Sequence, residues 1–121
     1  MTAEQAIHNF WSSFALPAYD ENSVPDTAEL PYITYSLSYD AFGNNVLMVA
    51  KIWQRSMSWQ FLTDKVHQIF DAISDGGKNL QTDSGFVKIY RGTPFYRRES
   101  DDEGVKRMSL NITAEYITDF D

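Results

Sequence analysis

Apolar side chains recur with helical period at the start of the chain. Ala3, Ala6, Ile7, Phe10, Trp11 and Phe14 fall on one face, the stripe of an amphipathic helix. Thr2 and Gln5 stand ahead of it at the spacing of a capping box. Pro17 cannot continue a helix, so the stop is predicted near Ala15 or Leu16. Residues 17–29 then lose all period; Pro17, Asp20, Asn22, Pro25 and Asp26 predict a long loop. After Pro31 the period becomes two. Ile33, Tyr35, Leu37 and Tyr39 alternate with Thr34, Ser36 and Ser38, which predicts a half-buried strand.

Asp40 to Asn45 carries residues that tolerate positive φ and predicts a hairpin connection. Val46 to Trp53 is nearly continuous in apolar residues, so it is expected to be a strand buried on both faces, paired antiparallel with the first. A second helix is predicted from Ser56 or Ser58 as its cap, with Trp59, Leu62, Val66, Ile69, Phe70 and Ile73 as its stripe. Gly76 and Gly77 are expected to close it. Phe86 to Tyr90 predicts a third strand, limited by Pro94 unless it lies at a sheet edge. The last strand alternates over a long stretch, with Met108, Leu110, Ile112, Ala114 and Tyr116 inward. The expected fold is a single α+β domain over 1–121, in the order αββαββ. It has a four-stranded, mostly antiparallel sheet with two helices packed on one face.

Charge changes this picture by its placement. The net charge is −7, and residues 1–50 hold six acids (Glu4, Asp20, Glu21, Asp26, Glu29 and Asp40) with no Lys or Arg. Every cation lies from Lys51 onward. This balance argues against binding a phosphate backbone, which needs clustered cations. The absence of cysteine removes disulfides, thiolate nucleophiles and Cys-based zinc sites. The first residues have neither the basic nor the apolar region of a signal peptide. No apolar run has the length to span a bilayer. The expectation is a soluble protein with no membrane contact.

Candidate chemistry is thin. His8 and His67 are expected to be boundary residues on half-buried helices rather than bases. No Gly-rich phosphate cradle and no nucleophile elbow is present. Asp101, Asp102 and Glu103 lack the spacing of a calcium loop and predict a solvated hairpin tip. Arg97, Arg98, Lys106 and Arg107 would flank that tip and pair across the arms or with the acids. Tyr32, Tyr35, Tyr39, Tyr90, Tyr96 and Tyr116 are expected on strands. There they either pack the sheet or decorate a protein interface. Trp53, Arg55, Met57 and Trp59 form a similar mixed patch. No catalytic residue, cofactor or metal is assigned.

The segment Leu30-Pro31-Tyr32-Ile33-Thr34-Tyr35-Ser36-Leu37-Ser38-Tyr39 follows a helix and a polar loop. With that position, and with the long alternating strand at the end, the chain resembles the tail-terminator and tail-completion (neck) proteins of long-tailed bacteriophages and prophages. The resemblance implies a non-enzymatic virion protein that forms a homo-oligomeric ring, usually a hexamer, at the head-proximal end of the tail tube. Such a ring stops tube polymerisation and joins the tail to the head. Its partners would be other copies of itself, the tail tube protein and a head-completion or connector protein. DNA would pass through an acidic lumen without specific binding, and assembly would occur in the host cytoplasm.

The surfaces expected to serve that role are three. They are the first loop (Asp20, Glu21, Asp26 and Glu29), the first hairpin tip (Phe42 and Asn44), and the last hairpin (Arg97, Arg98, Asp101, Asp102 and Glu103). The loop is expected to order on contact with a partner. Two other readings compete: a small cone-shaped α+β enzyme or ligand-binding domain using His8 or His67, and an acidic monomeric adaptor.

Overall fold

The computed structural model describes residues 1–38, 43–55, 58–100 and 103–118. Helix α1 (Ala3–Ser12) and helix α2 (Gln60–Ala72) pack on a mixed sheet of six strands. The strands are β1 (Ala18–Asp20), β2 (Tyr32–Tyr35), β3 (Asn45–Arg55), β4 (Lys78–Thr82), β5 (Gly85–Ser100) and β6 (Val105–Ile117). Across the sheet they lie in the order β1-β2-β3-β6-β5-β4. β1 runs parallel to β2, and every other neighbouring pair is antiparallel. This corrects the expected four-stranded sheet and the αββαββ order, because each half of the chain carries one more short strand than its period reveals.

The first of these extra strands lies inside the expected loop. Ala18, Tyr19 and Asp20 pair with Ile33, Thr34 and Tyr35. The Ile33 N–H also donates to the Pro17 carbonyl at 2.9 Å. The second, Lys-Asn-Leu-Gln-Thr, buries only Leu80 and so has no apolar alternation to announce it. It exists because β5 offers its edge from Gly85 to Ile89.

Helix α1 forms as its cap predicts. The Gln5 N–H donates to Thr2 Oγ1 at 3.2 Å, and the Thr2 N–H donates to Gln5 Oε1 at 2.8 Å. The helix stops at Ser12, before the predicted end. Ser13 caps it with its hydroxyl 2.6 Å from the Phe10 carbonyl, and Ala15 takes a positive φ of 63°. That reversal lets Phe14 stay in the core while Ala18 enters the sheet. Helix α2 opens at Trp59, with Ser58 Oγ accepting from the Gln60 N–H at 3.1 Å. The alternative cap, Ser56, lies outside the described residues. The helix ends at Ala72, ahead of the glycines; Gly77, at φ 89°, closes a turn back to Ser74 before β4.

One face of the sheet makes the core. Met48, Ala50 and Ile52 of β3 stand opposite Ile112, Leu110 and Met108 of β6, and all six are buried. Ile33 and Tyr35 continue this layer on β2, and Val87, Ile89 and Leu80 continue it on β5 and β4. Trp11, Ile7 and Phe10 cover it from α1; Leu62, Val66 and Ile69 cover it from α2. Among the described residues, the opposite face carries no helix. β3 is thus buried on one face only, contrary to its apolar run: Leu47 is 61% exposed. β2 is shorter than predicted, ending at Tyr35, and Tyr39 lies outside the described residues.

β5 runs on past Pro94 to Ser100. Its register against β6 jumps between Arg91 and Tyr96, so Gly92 to Phe95 bulge opposite the single residue Asn111. Asn111 Nδ2 donates to the Pro94 carbonyl at 2.9 Å, and a Cβ on Gly92 would fall 2.7 Å from the Asn111 carbonyl oxygen. β4 pairs only with Gly85 to Ile89, so Pro94 costs no ladder bond on that side. The result is a long two-stranded arm whose outer edge pairs with no further strand among the described residues.

Candidate functional site

The expected surface residues separate into three places. Asp20 ends β1 and accepts the Asn22 N–H on Oδ1 at 3.0 Å. Glu21, Asp26 and Glu29 are exposed along the connection to β2. That connection holds its own turns: Ser23 N–H to the Asp20 carbonyl at 2.8 Å, and Ala28 N–H to the Pro25 carbonyl at 3.0 Å. The acids therefore lie on a connection that carries its own hydrogen bonds. Asn44 is exposed just before β3. It lies at the end of the sheet away from the β5–β6 turn, since Asn45 faces Glu115 whereas Arg55 faces Val105. Phe42, Asp101, Asp102 and Met57 lie outside the described residues.

Arg97 and Arg98 sit on the β5 arm and point to opposite faces. Arg97 stands opposite Ser109, on the face without helices, and Arg98 opposite Met108, on the helix side. Glu99 is the acid that the arm cations pair with. Arg97 reaches its Oε2 at 3.0 Å, and Arg107 reaches its Oε1 at 3.1 Å. Burial works to raise the Glu99 carboxyl. The bonds from Arg97 and Arg107, with the charges of Arg107 and Lys51, outweigh it and hold its pKa below the ordinary value. Glu103 is exposed, and its carbonyl accepts from Arg55 at 2.7 Å.

On the helix-free face, aromatic and cationic side chains form a row. Tyr19 meets Tyr32 edge-on at 5.6 Å between ring centres, and Tyr32 meets Trp53 at 6.4 Å. Trp53 donates its indole N–H to Thr34 Oγ1 at 2.9 Å. Arg107 and Lys51 lie 5.0 Å and 5.9 Å from its ring. Trp59 belongs to the other side, half-buried against the core, with Arg98 at 5.0 Å. The mixed patch expected around Trp53 is therefore split across the sheet.

A feature the sequence did not single out lies where α2 meets the β5 arm. Val66, His67, Phe70, Phe95 and Tyr96 line an apolar notch of about 200 Å³. Phe70, expected in the core stripe, is 41% exposed, and Tyr96 is 45% exposed. Phe70 and Phe95 meet edge-on at 5.5 Å. Arg91 lays its guanidinium 3.7 Å over the Phe70 ring. Only the position of Phe70 at the rim of its stripe could have signalled this, because the bulge that brings Phe95 alongside is a tertiary feature.

The histidines divide differently. His8 Nδ1 lies 2.9 Å from the Tyr35 hydroxyl, and its Nε2 lies 3.3 Å from Ser12 Oγ. Nδ1 thus bridges α1 to β2, while Nε2 is taken up within α1. They border an open recess of about 270 Å³ that Glu4 and Asp20 also line. Burial, then the charges of Asp20 and Glu4, push the Tyr35 phenol up to about 12. It therefore stays protonated at neutral pH and is not a base. His67 is exposed at the notch. Among the described residues, no group of three or more His, Cys, Asp or Glu side chains could hold a metal ion. No helix among them is long and apolar enough to cross a membrane.

No protein-family model matches the chain, and no curated protein sequence matches it. Among solved structures, the fold is similar to that of a chain in the virion of the native gene transfer agent (GTA) particle. The TM-score is 0.58 at 13% identity, over 93% of this chain and 89% of that one. At that identity the likeness is one of fold.

Proposed function

We propose that this chain is a structural subunit of a phage-like particle. Within that particle it would act as a tail terminator, forming a ring at the head-proximal end of the tail tube. The observation that carries the reading is the likeness in fold to a virion chain along nearly the whole of both proteins. The surfaces support it. Tyr19, Tyr32, Trp53, Arg97 and Arg107 lie on a sheet face that no helix among the described residues covers, and aromatic residues with arginine are enriched where proteins associate. Tail tube protein, a head-side connector and further copies of the chain are the partners of this reading.

The test is genetic and visual. The gene is deleted in the host that carries the particle, assembly is induced, and the products are imaged. The terminator role requires overlong tubes and heads without tails, both rescued by supplying the protein. Particles of normal length and full assembly without it would exclude that role.

A further inference from the structure

We infer that the groove between α1 and β4 binds an extended segment of another protein, which adds to the sheet as a further strand beside β4. The segment it fits is apolar on alternate residues and carries a carboxylate at one end. This goes beyond the assembly reading and does not depend on it.

β4 is the last strand in the sheet order and pairs with β5 alone. Thr82 faces Gly85 across a two-residue loop, so Thr82, Leu80 and Lys78 turn their backbone groups toward β5. Asn79 and Gln81 turn theirs to the outer edge, where no strand meets them among the described residues. Asp83 continues that outward series, and its N–H donates to the Met1 carbonyl at 2.9 Å. A backbone carbonyl of this chain thus already sits at the first rung beside β4, and the next two rungs are open among the described residues. Donors and acceptors repeated at every second residue are the complement of another strand's backbone. The five residues of β4 offer about 17 Å of such an edge.

Helix α1 supplies the second wall. Ala6, Asn9, Phe10 and Ser13 face Lys78–Thr82 across a groove of about 600 Å³, a size that suits a bound ligand. Three of the four have short side chains, which leaves the space between helix and strand. Phe10 and Leu80 are buried at its floor, so an apolar side chain directed inward from an added strand would meet carbon. Met1 lies across one end, with Asn9 Nδ2 3.5 Å from its Sδ and its amine paired with Asp83. Lys78 also lines the groove, exposed and in no ion pair among the described residues. With Asp83 neutralised, the one open charge on the groove is positive, and a carboxylate on the incoming segment complements it.

The test uses the full chain and two capped hexapeptides that alternate valine with threonine and carry glutamate at one end or the other. Binding is followed by amide chemical shifts and hydrogen exchange. Expected is binding of one of the two, with the Asn79 and Gln81 amides slowed about tenfold or more at saturation and the β1 edge unchanged. N-methylation of the peptide at alternate residues should abolish binding in one phase and spare it in the other, because only one set of its amides faces β4. Lys78→Glu should weaken that peptide about two- to fivefold and favour its lysine counterpart. Failure of both peptides to bind at millimolar concentration overturns the inference. So does binding that is indifferent to N-methylation or seated away from Asn79 and Gln81. Slowing of those amides by higher protein concentration without peptide overturns it as well, since a second copy then covers the edge.

Discussion

Arg91 holds the end of α2 against the sheet through Phe70. Its guanidinium lies 3.7 Å over that ring, while Nε donates to the Ile73 carbonyl at 2.7 Å. A second nitrogen reaches Asp75 at 2.6 Å. Arg91→Ala should therefore destabilise the fold by about 1–3 kcal/mol in chemical denaturation, through the lost bond and ring contact. Asp75 is fully exposed (101%), so Asp75→Asn should leave the midpoint nearly unchanged. An equal effect of the two would mean that the ion pair, not the packing, is what matters.

Thr34 accepts the Trp53 indole proton on the helix-free face. Thr34→Val keeps the volume and removes the acceptor. It should cost about 1–2 kcal/mol and shift the emission of Trp53, while Leu47→Ser on the same face, at an exposed position, should cost little.

Tyr35 and Tyr116 have phenols pushed up to about 12 by burial, with charges of Asp20 and Glu4 adding to the first and Glu4 to the second. Between the unfolded value near 10 and about 12, the folded state binds more protons than the unfolded one. Stability should therefore be undiminished by these groups below pH 10. It should then fall with a slope of up to about 1.4 kcal/mol per pH unit for each tyrosine. Denaturation curves across that window test this, and Tyr35→Phe should flatten part of the slope.

Gly92 passes the Asn111 carbonyl so closely that a Cβ would sit 2.7 Å from its oxygen. Gly92→Ala should disrupt the bulge and destabilise the arm by about 1–3 kcal/mol. Faster amide exchange over Tyr96 to Ser100 than over β3 would localise the damage; uniform exchange would refute it.

Much of the fold was legible where the signal is local. The capping box of Thr2 and Gln5 formed as spaced, because both partners lie within one turn. The inward set of β6 was legible because a long strand buried on one face must alternate. β1 and β4 were not legible: Ala-Tyr-Asp and Lys-Asn-Leu-Gln-Thr become strands only through the edges offered by β2 and β5. Pro94 was expected to limit the strand unless that end lay at a sheet edge; it does lie at one, and only the bulge against Asn111 shows how the strand continues past it.

The candidate surfaces divide along the same line. By itself the sequence determined the one-sided core of α1 and β6 and the confinement of every Lys and Arg to Lys51 and beyond, since periodicity and charge order are properties of the chain. Only the tertiary structure decided that Glu99 gathers Arg97 and Arg107 across two strands, that Phe70 leaves the core, and that Trp53 and Trp59 part company across the sheet. Those outcomes depend on strand order and register, which arise from contacts between segments far apart in the chain.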